Sequence, residues 1–241
     1  MMLREFMEKI FSDYQSAKKE KYIDHSIVTL LKKDFPDYLS NITNKFGNYT
    51  CIGYPGEGNW AESPYVGIFD PEISKGLDSG YYILYIFSED TKKVFLTLNQ
   101  NISNTNNLKE DEIQVQLDNN ANQLRSKLKI PEYFETNKIS GLGPNYRYKR
   151  IEHGNICSKS YNSEDLPTEE ELLLDLEKIL EIYQNLVEIE NGNFGLRFFL
   201  SEILNKYSKV KDNITANPLV DVINHDFPDY LKTITPNFDS Y

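Results

Sequence analysis

The sequence predicts a mixed α/β (α+β) domain, with a mostly antiparallel central sheet flanked by helices at both chain ends. Three observations carry this. Residues 81–87 (YYILYIF) form an almost unbroken apolar run, the pattern of a central strand buried on both faces. Residues 94–98 alternate after the polar turn Ser88-Glu89-Asp90-Thr91, as the returning arm of a hairpin does. Helical patterns bracket these strands, with Leu3, Phe6, Met7, Ile10 and Phe11 on one face at the start and a capped helix from Thr168 to about Val187.

Residues 3–14 form the first amphipathic helix. A second, short helix covers residues 27–33, with Asp24 and Ser26 as candidate caps. Phe35-Pro36-Asp37-Tyr38 marks a break and restart, because proline fits a first helical turn. Residues 49–54 and 65–69 are short strands, with Pro55-Gly56-Glu57-Gly58-Asn59-Trp60 as the loop between them. Residues 108–128 set Ile113, Leu117, Ala121, Leu124 and Leu128 on one helical face. Residues 146–161 read as a strand pair or extended segment around Gly154. In Thr168-Glu169-Glu170-Glu171, the Thr hydroxyl can take an exposed backbone N–H while Glu171 reaches back, a capping box.

At 241 residues and 39% apolar, the chain can bury a real core. Its 17 Tyr and 13 Phe against one Trp favour half-buried faces with one wet end. The net charge of −11 opposes general attraction to phosphate, so a nucleic-acid reader with this balance confines its cations to a patch. Cys51 and Cys157 stand far apart with only three histidines in the chain, which argues against a zinc site, a disulfide framework or any metal or cofactor. Without a signal peptide or a run of 18 apolar residues, the expectation is a soluble, cytoplasmic protein with no membrane partner.

The tail repeats the head. Residues 34–49 (DFPDYLSNITNKFGNY) and 226–241 (DFPDYLKTITPNFDSY) share ten of sixteen positions at a constant offset of 192. Duplication explains this better than chance. The expected organisation is a recognition domain over 1–189, a linker over 190–195 (ENGNFG), and the helical start of a second, truncated copy over 196–241.

Several stretches carry a resemblance. They are Phe46-Gly47-Asn48-Tyr49-Thr50, Gly58-Asn59-Trp60-Ala61-Glu62, Pro64-Tyr65-Val66-Gly67-Ile68-Phe69-Asp70, the run from Gly80 to Phe87 with Ser88-Glu89-Asp90, and Gly154-Asn155-Ile156-Cys157 with Tyr161. Together they resemble the amino-terminal domain of McrB-type, 5-methylcytosine-specific restriction proteins over about residues 3–188, most specifically from Gly58 to Leu98. The resemblance implies a non-catalytic DNA-binding module. It would read a modified base, modified cytosine first, by flipping it from double-stranded DNA, with an effector nuclease or motor on another part of the protein or another subunit. No GxxxxGK[ST] phosphate loop is present in this sequence.

By position the resemblance places Phe46, Tyr65 and Tyr85 in the pocket and wedge region, with Tyr85 standing where the family carries an aliphatic side chain. Trp60, in the glycine-rich loop, is a further candidate wall, since a flipped base needs flat apolar walls. Phosphate contacts fall to Lys138, Arg147, Lys149, Arg150 and Lys159, which with Glu152 give residues 137–161 a charge of +4. Tyr146, Tyr148 and Tyr161 are interleaved with them. The loop 138–145, with Gly141, Gly143 and Pro144, offers backbone N–H groups to a phosphate.

Two other readings stand beside this one. Asp70 and Glu72, with Glu89 and Lys92, echo a metal-dependent nuclease. That chemistry, however, needs an acid and the Lys one residue apart on a strand, whereas Glu89 and Lys92 sit three apart in a turn. Alternatively, the acidic surface docks a partner subunit.

Overall fold

The structure, a computed structural model, describes residues 1–74, 76–78, 80–102 and 108–210, the stretch 191–210 by its backbone alone. The chain divides into two units, Met1–Leu186 and Val187–Tyr241. The first holds the whole sheet.

Five strands lie in sequence order, each antiparallel to the next: β1 (Thr50–Gly56), β2 (Trp60–Phe69), β3 (Gly80–Phe87), β4 (Lys93–Asn101) and β5 (Asn155–Asn162). The apolar run forms β3, the middle strand, with Ile83, Leu84, Tyr85, Ile86 and Phe87 all fully buried. Because successive side chains alternate between faces, Tyr82, Leu84 and Ile86 point one way and Ile83, Tyr85 and Phe87 the other.

Helices α1 (Leu3–Ala17), α3 (Phe35–Thr43) and the part of α6 (Glu169–Val210) up to Leu186 cover the Tyr85 face. Phe11 meets Phe87 edge-on, and Phe35 packs on Tyr85 and stacks on Phe6. From α6, Tyr183 donates its O–H to Tyr81 O and Tyr161 on β5 donates to Asp175. The opposite face carries α5 (Tyr146–Gly154) and the loop before it, with Tyr65, Phe69, Leu77, Tyr82, Leu84, Ile86, Ile139, Leu142, Tyr148 and Ile151 in one apolar cluster. Helix α4 (Glu110–Lys127) packs beside α5 and β5 and buries Ile113, Leu117, Ala121 and Leu124.

The second helix is short. His25, not Asp24 or Ser26, caps α2 (Ser26–Thr29), its Nδ1 accepting from Ile27 N–H. The chain then runs through a π-helical turn, Leu30–Asp34, into α3 with Pro36 in the first turn. The Leu31 carbonyl presses so closely on Gly53 of β1 that no side chain fits there.

Two expectations change. Trp60 is not in a loop; it opens β2, and Pro55 and Gly56 close β1. Residues 146–154 are helical rather than extended: the Asn145 side chain accepts Arg147 N–H as an N-cap, and Tyr148 and Ile151 bury at helical spacing. Gly154 then lets the chain pass against Gln100 O and Asn99 Oδ1, where a Cβ would collide, and β5 begins. The backbone of residues 190–195 is helical, within α6. Its start holds the capping box, with Glu171 N–H donating to Thr168 Oγ1 and Thr168 N–H to Glu171. A helix already nucleated there carries Gly192 and Gly195 at a cost of roughly 1 kcal/mol each. The repeated stretch 226–241 lies outside the described residues. No helix among the described residues is long and apolar enough to cross a membrane.

Candidate nucleic-acid interface

Tyr65 sits on β2 opposite Ile86, so its ring joins the α5 face. Across the sheet's edge pair it meets Tyr54 of β1, the rings 5.1 Å apart and 21° from parallel. Tyr65 is 7% exposed and Tyr54 half-buried, so the pair runs from the core to the surface. The Arg147 guanidinium lies over Tyr54 at 5.9 Å. It is exposed and, among the described residues, meets no acid. Ile52, two residues before Tyr54 on the same strand face, is 43% exposed.

Hydrogen bonds fix α5, and hence Arg147, in this place. Ser63 N–H donates to Tyr148 Oη and Ser63 Oγ–H to Leu142 O. Buried Glu152 accepts from Leu142 N–H at 3.0 Å and from Lys149 at 2.7 Å. Leu142 N–H, at the centre of the glycine loop proposed to cradle a phosphate, therefore already serves an internal carboxylate.

Burial pushes the Tyr65 phenol well above its ordinary range, with Arg147 pulling it partly back and Tyr54, Tyr148 and Asp78 pushing it further up. It stays protonated at any physiological pH, a hydrogen-bond donor beside a guanidinium. The exposed Asp78 carboxylate, whose charge is felt at Tyr65, adds an acceptor. A π surface, fixed donors and one acceptor are the means by which proteins hold an unstacked base.

The other predicted pocket residues do not join Tyr65. Tyr85 is fully buried on the opposite face against Phe35, and its hydroxyl has no hydrogen-bond partner among the described residues. Phe46 lies by the start of β1, its carbonyl accepting from Gln184 of α6 and its ring under Lys45. Trp60 is enclosed edge-on by Tyr14, Tyr22 and His25 at 5.5, 5.3 and 5.1 Å, and its indole N–H donates to Glu20 O. The ring is half-buried among these side chains.

The predicted basic patch divides in the same way. Arg150 forms a two-pronged pair with Glu110, both bonds 2.8 Å, joining α5 to α4. Lys149 is held by Glu152, and Lys159 by Asp175 of α6, on the other side of the sheet. Only Lys138 and Arg147 are exposed with no acid beside them among the described residues. Asp70 accepts Glu72 N–H and caps the turn after β2, and no three His, Cys, Asp or Glu among the described residues gather at metal-binding spacing. Tyr54 was missed by the sequence reading, although its alternation with Ile52 marked the face it shares.

The MrcB-like N-terminal domain family matches residues 9–188. The chain belongs to this family. No curated protein matches it. The MrcB-like N-terminal domain is a DNA-binding module of restriction proteins rather than a catalytic domain, which agrees with where the unpaired cation and the open aromatic pair lie.

Proposed function

We propose that this MrcB-like domain reads a modified base, modified cytosine first, in double-stranded DNA, and that the base leaves the stack to do so. The observation that carries the reading is the Tyr54–Tyr65 pair beneath an Arg147 guanidinium that no acid among the described residues neutralises. The aromatic pair supplies a wall, Arg147 holds the adjoining phosphate, and Asp78 accepts from the exocyclic amine of cytosine, a pairing that carboxylates make. Lys138 supports Arg147 on the backbone. An effector nuclease or motor on another part of the protein or on another subunit acts on the result, in the cytoplasm. The repeat at 226–241 belongs, in this reading, to a second copy of the recognition domain.

The test is a binding titration against matched duplexes carrying cytosine, 5-methylcytosine or 5-hydroxymethylcytosine at two salt concentrations. A preference for one modified duplex, weakening steeply with salt, is expected. Equal binding to all three would remove the modified-base reading. No binding to any would leave a partner protein as the ligand of the acidic surface.

A further inference from the structure

The strongest run of unpaired cations lies outside the interface described above. Residues 18–33 contain Lys18, Lys19, Lys21, Lys32 and Lys33 against Glu20 and Asp24, a balance of +3 in a chain of −11. Four of the five lysines are exposed and Lys18 is half-buried. None makes an ion pair among the described residues, and the nearest carboxylate in sequence, Glu20, is turned to His25 Nε2 at 3.3 Å. Lys32 only overlies the Tyr22 ring, at 5.7 Å.

This segment is pinned to the β1–β2 hairpin. Tyr22 donates its hydroxyl to Gly56 O, and Glu20 O accepts from Trp60. Gly56 lies two residues from Tyr54, roughly 7 Å along the strand. The lysines therefore flank the same hairpin end as the Tyr54–Tyr65–Arg147 site, from the opposite face of the sheet. At the turn's apex Ile23 is 77% exposed, and the next residue, Asp24, holds the left-handed conformation at φ 60° that non-glycine residues seldom adopt. An apolar side chain is thus held outward between lysines by a strained turn that packing on Trp60 maintains.

We propose that the segment 18–33 is a second DNA-contacting surface, its lysines on the phosphates and Ile23 in a groove, so that the duplex straddles the hairpin end. The inference rests on the DNA reading above and extends it, assigning sequence-independent grip to this segment and base reading to the Tyr54–Tyr65 side. Unpaired lysines spaced over two adjoining turns suit a phosphate backbone, and an exposed isoleucine suits the apolar floor of a groove. Trp60 then acts as the peg that positions the segment, which explains its half-buried place among the rings of Tyr14, Tyr22 and His25.

The test measures affinity against salt for the wild-type chain, Lys19→Ala/Lys21→Ala, Lys32→Ala/Lys33→Ala, Ile23→Ala, and Lys178→Ala as an acid-paired control. The slope of log affinity on log salt should shrink by about 0.9 for each phosphate that is no longer neutralised, up to ~2 in a double variant. The ratio between modified and plain duplexes should stay unchanged. Ile23→Ala should weaken binding with the slope intact, and Lys178→Ala should change neither. Unchanged slopes in both double variants, with wild-type DNA binding present, would overturn this inference and leave the reader standing. Loss of discrimination with an intact slope would place the lysines in the reading site and overturn the division of labour. Absence of wild-type binding would sink both.

Discussion

The two faces of one sheet have been put to different uses. On the Tyr85 face three helices close over β1 to β5, and the rings they cover are sealed: Phe35, Tyr85 and Phe87 are 0% exposed. On the other face α5, α4 and the loop before α5 cover β3, β4 and β5, and the cover thins toward β1, where Tyr54 is half-buried and Ile52 exposed. The same residue type, tyrosine, is core at 85 and surface-reaching at 54, with 65 between them. Strand pattern alone does not decide which tyrosine reaches the surface; the extent of the helical cover does.

The largest effect should come from the sealed face. Phe35→Ala removes a ring that contacts both Phe6 and Tyr85. It should lower stability by about 3–5 kcal/mol, read by urea denaturation of the whole chain. A cost below about 1 kcal/mol would mean that the face repacks freely and that the two faces differ less than their burial suggests. On the open face, Tyr65→Ala should cost about 1–3 kcal/mol of binding to the preferred modified duplex, the worth of one base stack. Affinity for plain duplex should change much less. Equal losses on both duplexes would make Tyr65 a prop for Arg147 rather than a wall.

Much of this fold was legible in the sequence. The β3 run, the β3–β4 hairpin, the α4 stripe and the Thr168 cap each rest on local patterns that tertiary packing reinforces. The site was harder to read because it depends on register. Gly56 pairs with Trp60, so counting back from that pair puts Glu62 opposite Tyr54; a shift between Tyr54 and Gly56 brings Tyr65 there instead. No local signal announces that irregularity. The pairing of the cations was illegible for a related reason. Lys149 and Arg150 adjoin Arg147 in sequence, but the helix turns them toward Glu152 and Glu110, and only the tertiary structure supplies those acids.

The difference between these neighbouring cations yields a smaller and sharper test. Arg147→Ala should weaken binding to every duplex about three- to tenfold and reduce the salt slope by about 0.9, the signature of one phosphate left without its cation. Arg150→Ala should instead cost about 1 kcal/mol of stability, because it breaks a partly buried two-pronged pair between α4 and α5. The slope should hardly move. The two arginines stand three residues apart on one helix, so a shared effect on the slope would show that the Glu110 pair opens on DNA.

The smallest expected effect tests whether the sealed face holds a ligand group at all. The Tyr85 hydroxyl is buried without a hydrogen-bond partner among the described residues, and burial raises its proton affinity far above the ordinary phenol. An unsatisfied buried hydroxyl costs about 1–3 kcal/mol, whereas its removal with the ring retained leaves the packing intact. Tyr85→Phe should therefore leave DNA binding and discrimination unchanged and raise stability, by about 1 kcal/mol once the neighbours' adjustment is counted. A fall in stability would mean that the hydroxyl reaches Asp175 or Glu169 through a bridging water. A fall in discrimination, with stability intact, would return Tyr85 to the reading site and require the helical cover of that face to open when DNA binds.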